Sequence, residues 1–256
     1  MAEAPDMAVV IATEIAKQLP VKAVYDDGIA RPLRVAGDVM TDILKTLHLA
    51  LAPLQVAAAL QDRFVDFLNT SIRRVREQDR IAPPPQILGP IIEAIRYEPD
   101  GTPINEMFSQ LLTRAFDKDR VNEAHPSFPL LIKQLSSDEA SLLFSVWRRQ
   151  QEGGYFRQQI HQNYDATMNH FYGVTYEIDE VPTSRLAFPK NVTFYGHHLH
   201  SLGLTAFYDW KMSSALWSPA DESGRLVQIG LRTFKELRLT DFGWAFMKAV
   251  DGLNAS

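Results

Sequence analysis

The sequence predicts a mainly α protein, with an all-helical N-terminal body followed by a C-terminal α+β module that resembles a winged helix. Three observations carry this. Apolar residues recur at spacings of three and four through the first half, as on helix faces packed lengthwise. Leu204 to Trp210 and Leu226 to Leu239 are apolar or alternating runs around a polar turn at Asp221-Glu222-Ser223-Gly224, which reads as a hairpin with a long tip. A short helix precedes that hairpin and another comes after it. The expected domains are residues 1–134 for the body and 135–256 for the module, with an aromatic-rich insertion at about 153–190.

Taken in order, Ala8 to Leu19 is an amphipathic helix ended by Pro20, and Val24-Tyr25-Asp26-Asp27-Gly28 is a turn or helix entry before Pro32. Leu33, Ala36, Met40, Ile43, Leu47, Ala50 and Leu54 then share one face of a long helix, which Pro53 should kink or break. A further helix runs through Phe64, Phe67, Leu68 and Val75, and Arg73, Arg74, Arg76 and Arg80 close it with charge opposite to its negative end. Pro83-Pro84-Pro85 is a stiff connector, after which Ile91 to Tyr97 and Ile104 to Phe116 are short helices.

Ser127 should cap a helix carrying Phe128, Leu131, Ile132 and Leu135 on one face. Ser136 and Glu139 stand in capping-box spacing before a helix to Trp147. The two make a capped corner, a hinge between the chain on either side of it. Gly153-Gly154 breaks the second helix, Tyr155 to Tyr176 reads as a helix to about Asn169 followed by irregular chain, and Pro182 and Pro189 bracket extended backbone. Val192 to Leu202 is a helix ending at Gly203, where a left-handed cap suits glycine, and Thr240 caps the last helix.

Composition narrows the function classes. The 256 residues are 46% apolar with a formal charge of −5, so the chain can bury a core and is not a general polyanion binder. It has no cysteine, which excludes disulfides and thiolate metal sites. The start, Met1-Ala-Glu-Ala-Pro-Asp, lacks the basic stretch of a secretory leader, so a cytoplasmic location is expected. The window Ile43 to Leu60 approaches the roughly twenty apolar residues that span a bilayer, but Lys45, His48 and Gln55 interrupt it. A buried helix is the reading, with a membrane role only on activation.

No catalytic, cofactor or metal site is assigned. His197 and His200 have helical ligand spacing, with His198 beside them, yet a zinc site needs three or four ligands. Tyr25, Asp26 and Asp27 are explained by a turn, as are Asp117 and Asp119 around Lys118. Phosphate loops, nucleophile elbows and paired-carboxylate motifs are absent from the sequence. The candidates for binding a partner are Lys190, His197, His200, Arg232 and Lys235. A helix reading DNA needs donors for phosphates and base edges, and the helix before the hairpin has histidines but no arginine. A protein partner is therefore expected ahead of duplex DNA.

Several stretches stand out together: Val24-Tyr25-Asp26-Asp27, Ala50-Leu51-Ala52-Pro53-Leu54, Pro84 to Tyr97 with its Leu-Gly-Pro, and Met107 to Leu112. His125-Pro126-Ser127-Phe128, Leu135 to Ala140, Leu202-Gly203-Leu204 and Leu239-Thr240-Asp241-Phe242-Gly243 complete the set. In this order they resemble the Abi-alpha family of bacterial abortive-infection proteins. The resemblance implies antiviral defence by halting the infected cell, and it brings no catalytic residues with it. The expected function is antiphage defence through a bound partner, with a DNA-binding transcriptional regulator as the alternative.

Overall fold

The structure is a computed structural model that describes residues 58–219 and 224–252. The expectations for 8–19, 24–28, 32–54 and Pro53, almost all of the apolar window 43–60, and residues 221–223 of the polar turn lie outside the described residues. The described residues divide into two compact units, one of residues 58–135 with 248–252, the other within residues 136–247.

Unit 1 is built around a central helix. Helix α1 (Ala58–Arg73) is followed by α2 (Pro85–Ile95), α3 (Pro103–Phe116) and α4 (Phe128–Ile132). Pro84 stands at the N-cap and Pro85 in the first turn of α2, where a missing N–H costs nothing, so the triple proline opens a helix as well as connecting two. Thr102 caps α3 by accepting from the Asn105 N–H at 3.0 Å. Eleven residues of α3 are buried, including Ser109, Gln110, Thr113 and Arg114, so its environment is protein on every side.

Small hydroxyls let α1 and α3 approach closely. Ser71 and Ser109 share a hydrogen bond at 3.1 Å, and the Thr113 hydroxyl donates to the Ser71 and Ser109 carbonyls. Arg114 is 0% exposed and donates to the carbonyls of Lys248 and Asp251, with Glu123 as its ion-pair partner at 3.3 Å. The Arg114 guanidinium thus fixes the segment from Lys248 to Asp251 in this unit. The basic cluster after α1 is paired: Arg74 meets Glu106, Arg76 meets Asp79, and Arg80 donates to the Val75 carbonyl. Ser127 sits at the N-cap of α4 without the expected side-chain cap, because its hydroxyl and N–H both engage the His125 ring.

Unit 2 opens with α5 (Ser137–Gln151), then β1 (Phe156–Asp165), β2 (His170–Asp179), α6 (Val192–Ser201), β3 (Thr205–Trp217), β4 (Gln228–Leu239) and α7 (Asp241–Val250), whose last residues count with unit 1. The capping box forms as expected: the Glu139 N–H donates to the Ser136 hydroxyl at 3.2 Å and the Ser136 N–H to the Glu139 carboxylate at 2.7 Å.

The four strands make one antiparallel sheet in the order β2-β1-β4-β3. This overturns the mainly α class. The chain is an α+β protein, with seven α-helices and four strands among the described residues. The difference lies in Tyr155 to Asp179, read from sequence as a helix and irregular chain but folded as the hairpin β1–β2. The expected order of helix, hairpin and helix does occur as α6, β3–β4 and α7. It is not a winged helix with a free wing, because β4 pairs with β1 as well as β3 and is an interior strand.

Register shifts in the β1–β2 ladder leave Glu177 and Gly173 unpaired, two bulges in the edge strand. Gln158, Ile160 and Gln162 therefore share one face with Tyr176 and Val174, while Arg157, Gln159 and His161 face the other way with Ile178 and Thr175.

Candidate functional site

The first turn of α5 organises unit 2. The Asp138 carboxylate is buried and accepts from the Ala187 N–H at 2.7 Å, the Phe188 N–H at 2.8 Å and the Tyr195 hydroxyl at 3.0 Å. Burial pushes its pKa up, but these three donors outweigh burial and hold it below the usual aspartate value. Burial, and then the carboxylate beside it, raise the Tyr195 phenol. Glu139, besides closing the cap, meets the Nδ1 of His198 at 2.6 Å. Tyr195 and His198 lie three residues apart on one face of α6, so two neighbouring carboxylates clamp that helix to α5.

With that face committed, α6 turns Val192, Thr193, Gly196 and His197 toward a cavity of about 250 Å³ over the sheet. Leu142, Ile160, Val181, Phe207 and Leu237 supply apolar walls, and Gln158 and Lys235 supply polar ones. Gly196 faces the Phe207 ring, which an added Cβ would reach at ordinary van der Waals contact, 3.4 Å. The Gln158 side-chain amide donates to Asp179 at 3.0 Å, and the Lys235 ammonium meets Asp209 of β3 at 2.7 Å.

The opposite face of the sheet carries a ladder of cations and rings. Glu236 is 1% exposed beneath Arg157, at 3.6 Å, and Arg238. Arg238 lies over the Tyr155 and Tyr208 rings at 4.3 and 5.1 Å, and Arg157 over Trp210 at 5.0 Å. Farther along, Arg232 pairs with Glu177 at 3.0 Å, and its hydrogen bond is the chief reason that the Glu177 carboxyl is held low.

The structure brings together two of the five partner-binding candidates: His197 and Lys235 line the same cavity. Arg232 is three residues from Lys235 on an uninterrupted β1–β4 ladder, so it projects from the other face. His200 points its Nδ1 at the Thr205 carbonyl, 3.0 Å away, and Lys190 is exposed in the 3-10 turn before α6. The histidines 197, 198 and 200 thus have three different surroundings, and among the described residues no group of three or more metal-ligating side chains occurs.

Sequence reasoning missed Gln158, Ile160 and Tyr176 because they belong to the strands read as helix and irregular chain. It missed the role of Asp138 because an acid in a first turn is already explained by the helix dipole.

Both hairpins turn at the same end of the sheet, since Asp165 closes on His170 while Asn163 of the same strand pairs with Gly230, near the Trp217–Gln228 pair. Met168, Phe171 and Tyr172 on one hairpin and Trp217, Leu226 and Val227 on the other are exposed there. Among the described residues no helix is long and apolar enough to cross a membrane.

The Leu202-Gly203-Leu204 and Leu239 to Gly243 stretches form one joint. Gly203 has φ +73°, the Leu204 N–H returns to the Leu199 carbonyl at 3.0 Å and the Gly203 N–H to His200 at 2.9 Å, closing α6 in a Schellman motif. The Thr240 N–H then donates to the Leu204 carbonyl at 3.1 Å, while the Thr240 hydroxyl accepts from the Gly243 N–H at 2.9 Å to cap α7. No curated protein and no solved structure matches the chain. A family model described as abortive infection alpha matches residues 58–250, a span that runs from α1 to the end of α7 and includes this joint. The chain belongs to the abortive infection alpha family.

Proposed function

We propose that this protein serves bacterial antiphage defence of the abortive-infection type, and that it does so by binding a protein partner through the hairpin end of unit 2. Family membership supports the defence role. The observation that carries the mode of action is the set of six exposed apolar side chains on two hairpins at one end of the sheet, among them Trp217 at 55% and Met168 at 71% exposure. Aromatic and methionine side chains of this kind are enriched where proteins meet.

The test is phage plating on cells with and without the intact gene, alongside a Phe171→Ser, Trp217→Ser, Leu226→Ser variant. The intact gene should lower plaque counts, and the variant should lose the protection at equal protein level and equal Tm. Equal plaque counts with and without the gene across a broad phage panel would remove the defence reading. Full protection by the variant would remove the docking end.

A further inference from the structure

We propose that the cavity between α6 and the sheet of unit 2 binds a small amphipathic monoanion, a short-chain or single-ring carboxylate, with its apolar body against Val192, Phe207 and Leu237 and its head group at Lys235. The volume of about 250 Å³ exceeds that of a cavity able to hold a benzene ring, roughly 150 Å³, and lies just under the usual range for ligand pockets, about 300 to 1,000 Å³.

Its bounding elements are fixed in place. One side of α6 is clamped through Tyr195 and His198 to Asp138 and Glu139, and the floor is a hydrogen-bonded sheet, so the space is preformed. The sign of the head group is set by the lining. Among the described residues one cation, Lys235, lines the cavity and no aspartate or glutamate does. Asp209 takes one of the three ammonium donors of Lys235 from the exposed edge strand, where its own side chain is 59% exposed, leaving the others for an incoming carboxylate. Gln158, 8% exposed and paired with Lys235 across β1 and β4, has only the second hydrogen of an amide that already donates to Asp179 at 3.0 Å. This inference is independent of the partner reading, because it concerns the covered end of the sheet and not its hairpin end.

Octanoate, octan-1-ol and octylamine are the probes, titrated into the full chain by calorimetry and by amide chemical shifts. Octanoate should bind saturably, with a dissociation constant of about 0.1 to 1 mM, and at least tenfold more tightly than octylamine. It should also raise Tm. Lys235→Met should bring octanoate down to the level of octanol, while Val192→Trp and Thr193→Trp, which fill the cavity from α6, should abolish binding of both. Trp217→Ser, at the hairpin end, should leave binding unchanged.

The proposal fails if octanoate does not saturate by about 10 mM, ten times the weakest affinity expected. It also fails if octanoate shows no preference over octylamine, if Lys235→Met keeps that preference, or if Trp217→Ser removes binding. Should either tryptophan variant unfold, the Lys235→Met and Trp217→Ser comparisons decide by themselves.

Discussion

The carbonyl oxygen of Leu204 lies 1.9 Å from the point that a Cβ on Gly243 would occupy. A hydrogen is the largest group that fits there. The contact explains why two short stretches far apart in sequence act as one piece: the end of α6 rests on the start of α7, and glycine is what lets them touch.

Gly243→Ala should therefore be among the most damaging single-atom additions in unit 2. The obstacle is backbone, which cannot swing aside as a flexible side chain can, so a loss of about 2–3 kcal/mol is expected. Urea unfolding of the variant beside Gly203→Ala checks it. The latter pays only for a left-handed conformation, about 1–2 kcal/mol, and should be the milder of the two.

Asp138→Asn should lower stability at neutral pH by about 1–3 kcal/mol, since an amide oxygen cannot serve all three donors that the carboxylate satisfies. The pH dependence has a definite sign. The folded carboxyl is held below its unfolded value, so its stabilisation is complete above the ordinary aspartate pKa of 3.8 and is lost as pH falls through the lower folded value. Urea midpoints measured as pH falls below 3.8 should drop more steeply for the wild type, so that the gap between the two proteins narrows with acidification.

Arg114→Ala should cost about 3–5 kcal/mol, because it strips a buried cation from Glu123 and leaves the Lys248 and Asp251 carbonyls without their donor. Amide exchange of residues 248–252 should accelerate more than that of α1. In a double-mutant cycle, Arg114→Met with Glu123→Gln should show a coupling of about 1–2 kcal/mol.

Ser136→Ala should cost about 1 kcal/mol, the ordinary worth of an N-cap. Glu139→Ala should cost more, because the same carboxylate also holds His198. If the two variants prove equal by urea unfolding, the Glu139–His198 contact contributes nothing to stability.

The helices of unit 1 and the capping box were legible because each depends on neighbours within one or two turns. Ile104, Met107, Leu111 and Leu112 announce α3, and Ser136 with Glu139 announces α5. The hairpin β1–β2 was not legible, for two physical reasons. On β1 the face over the cavity carries Gln158 and Gln162 between Phe156, Ile160 and Tyr164, so the visible apolar spacing is four and imitates a helix. On β2 the bulges at Gly173 and Glu177 break the alternation that marks a strand.

Of the site, Lys235 and His197 could be picked out as charged or titratable groups near the hairpin. That they face each other across a cavity while Arg232 turns away is a result of pairing with β1, a partner about 75 residues distant whose strand character was hidden.

Those irregularities in β2 also settle how its outer rim behaves. A straight ten-residue strand of this aromatic and branched composition would offer an unbroken row of amides and carbonyls on which a neighbouring chain could zip up. Two inserted residues throw that row out of step twice over, so a straight newcomer loses its match after a few rungs. The feature that conceals the strand from a reader of the sequence thus also shields it from other strands.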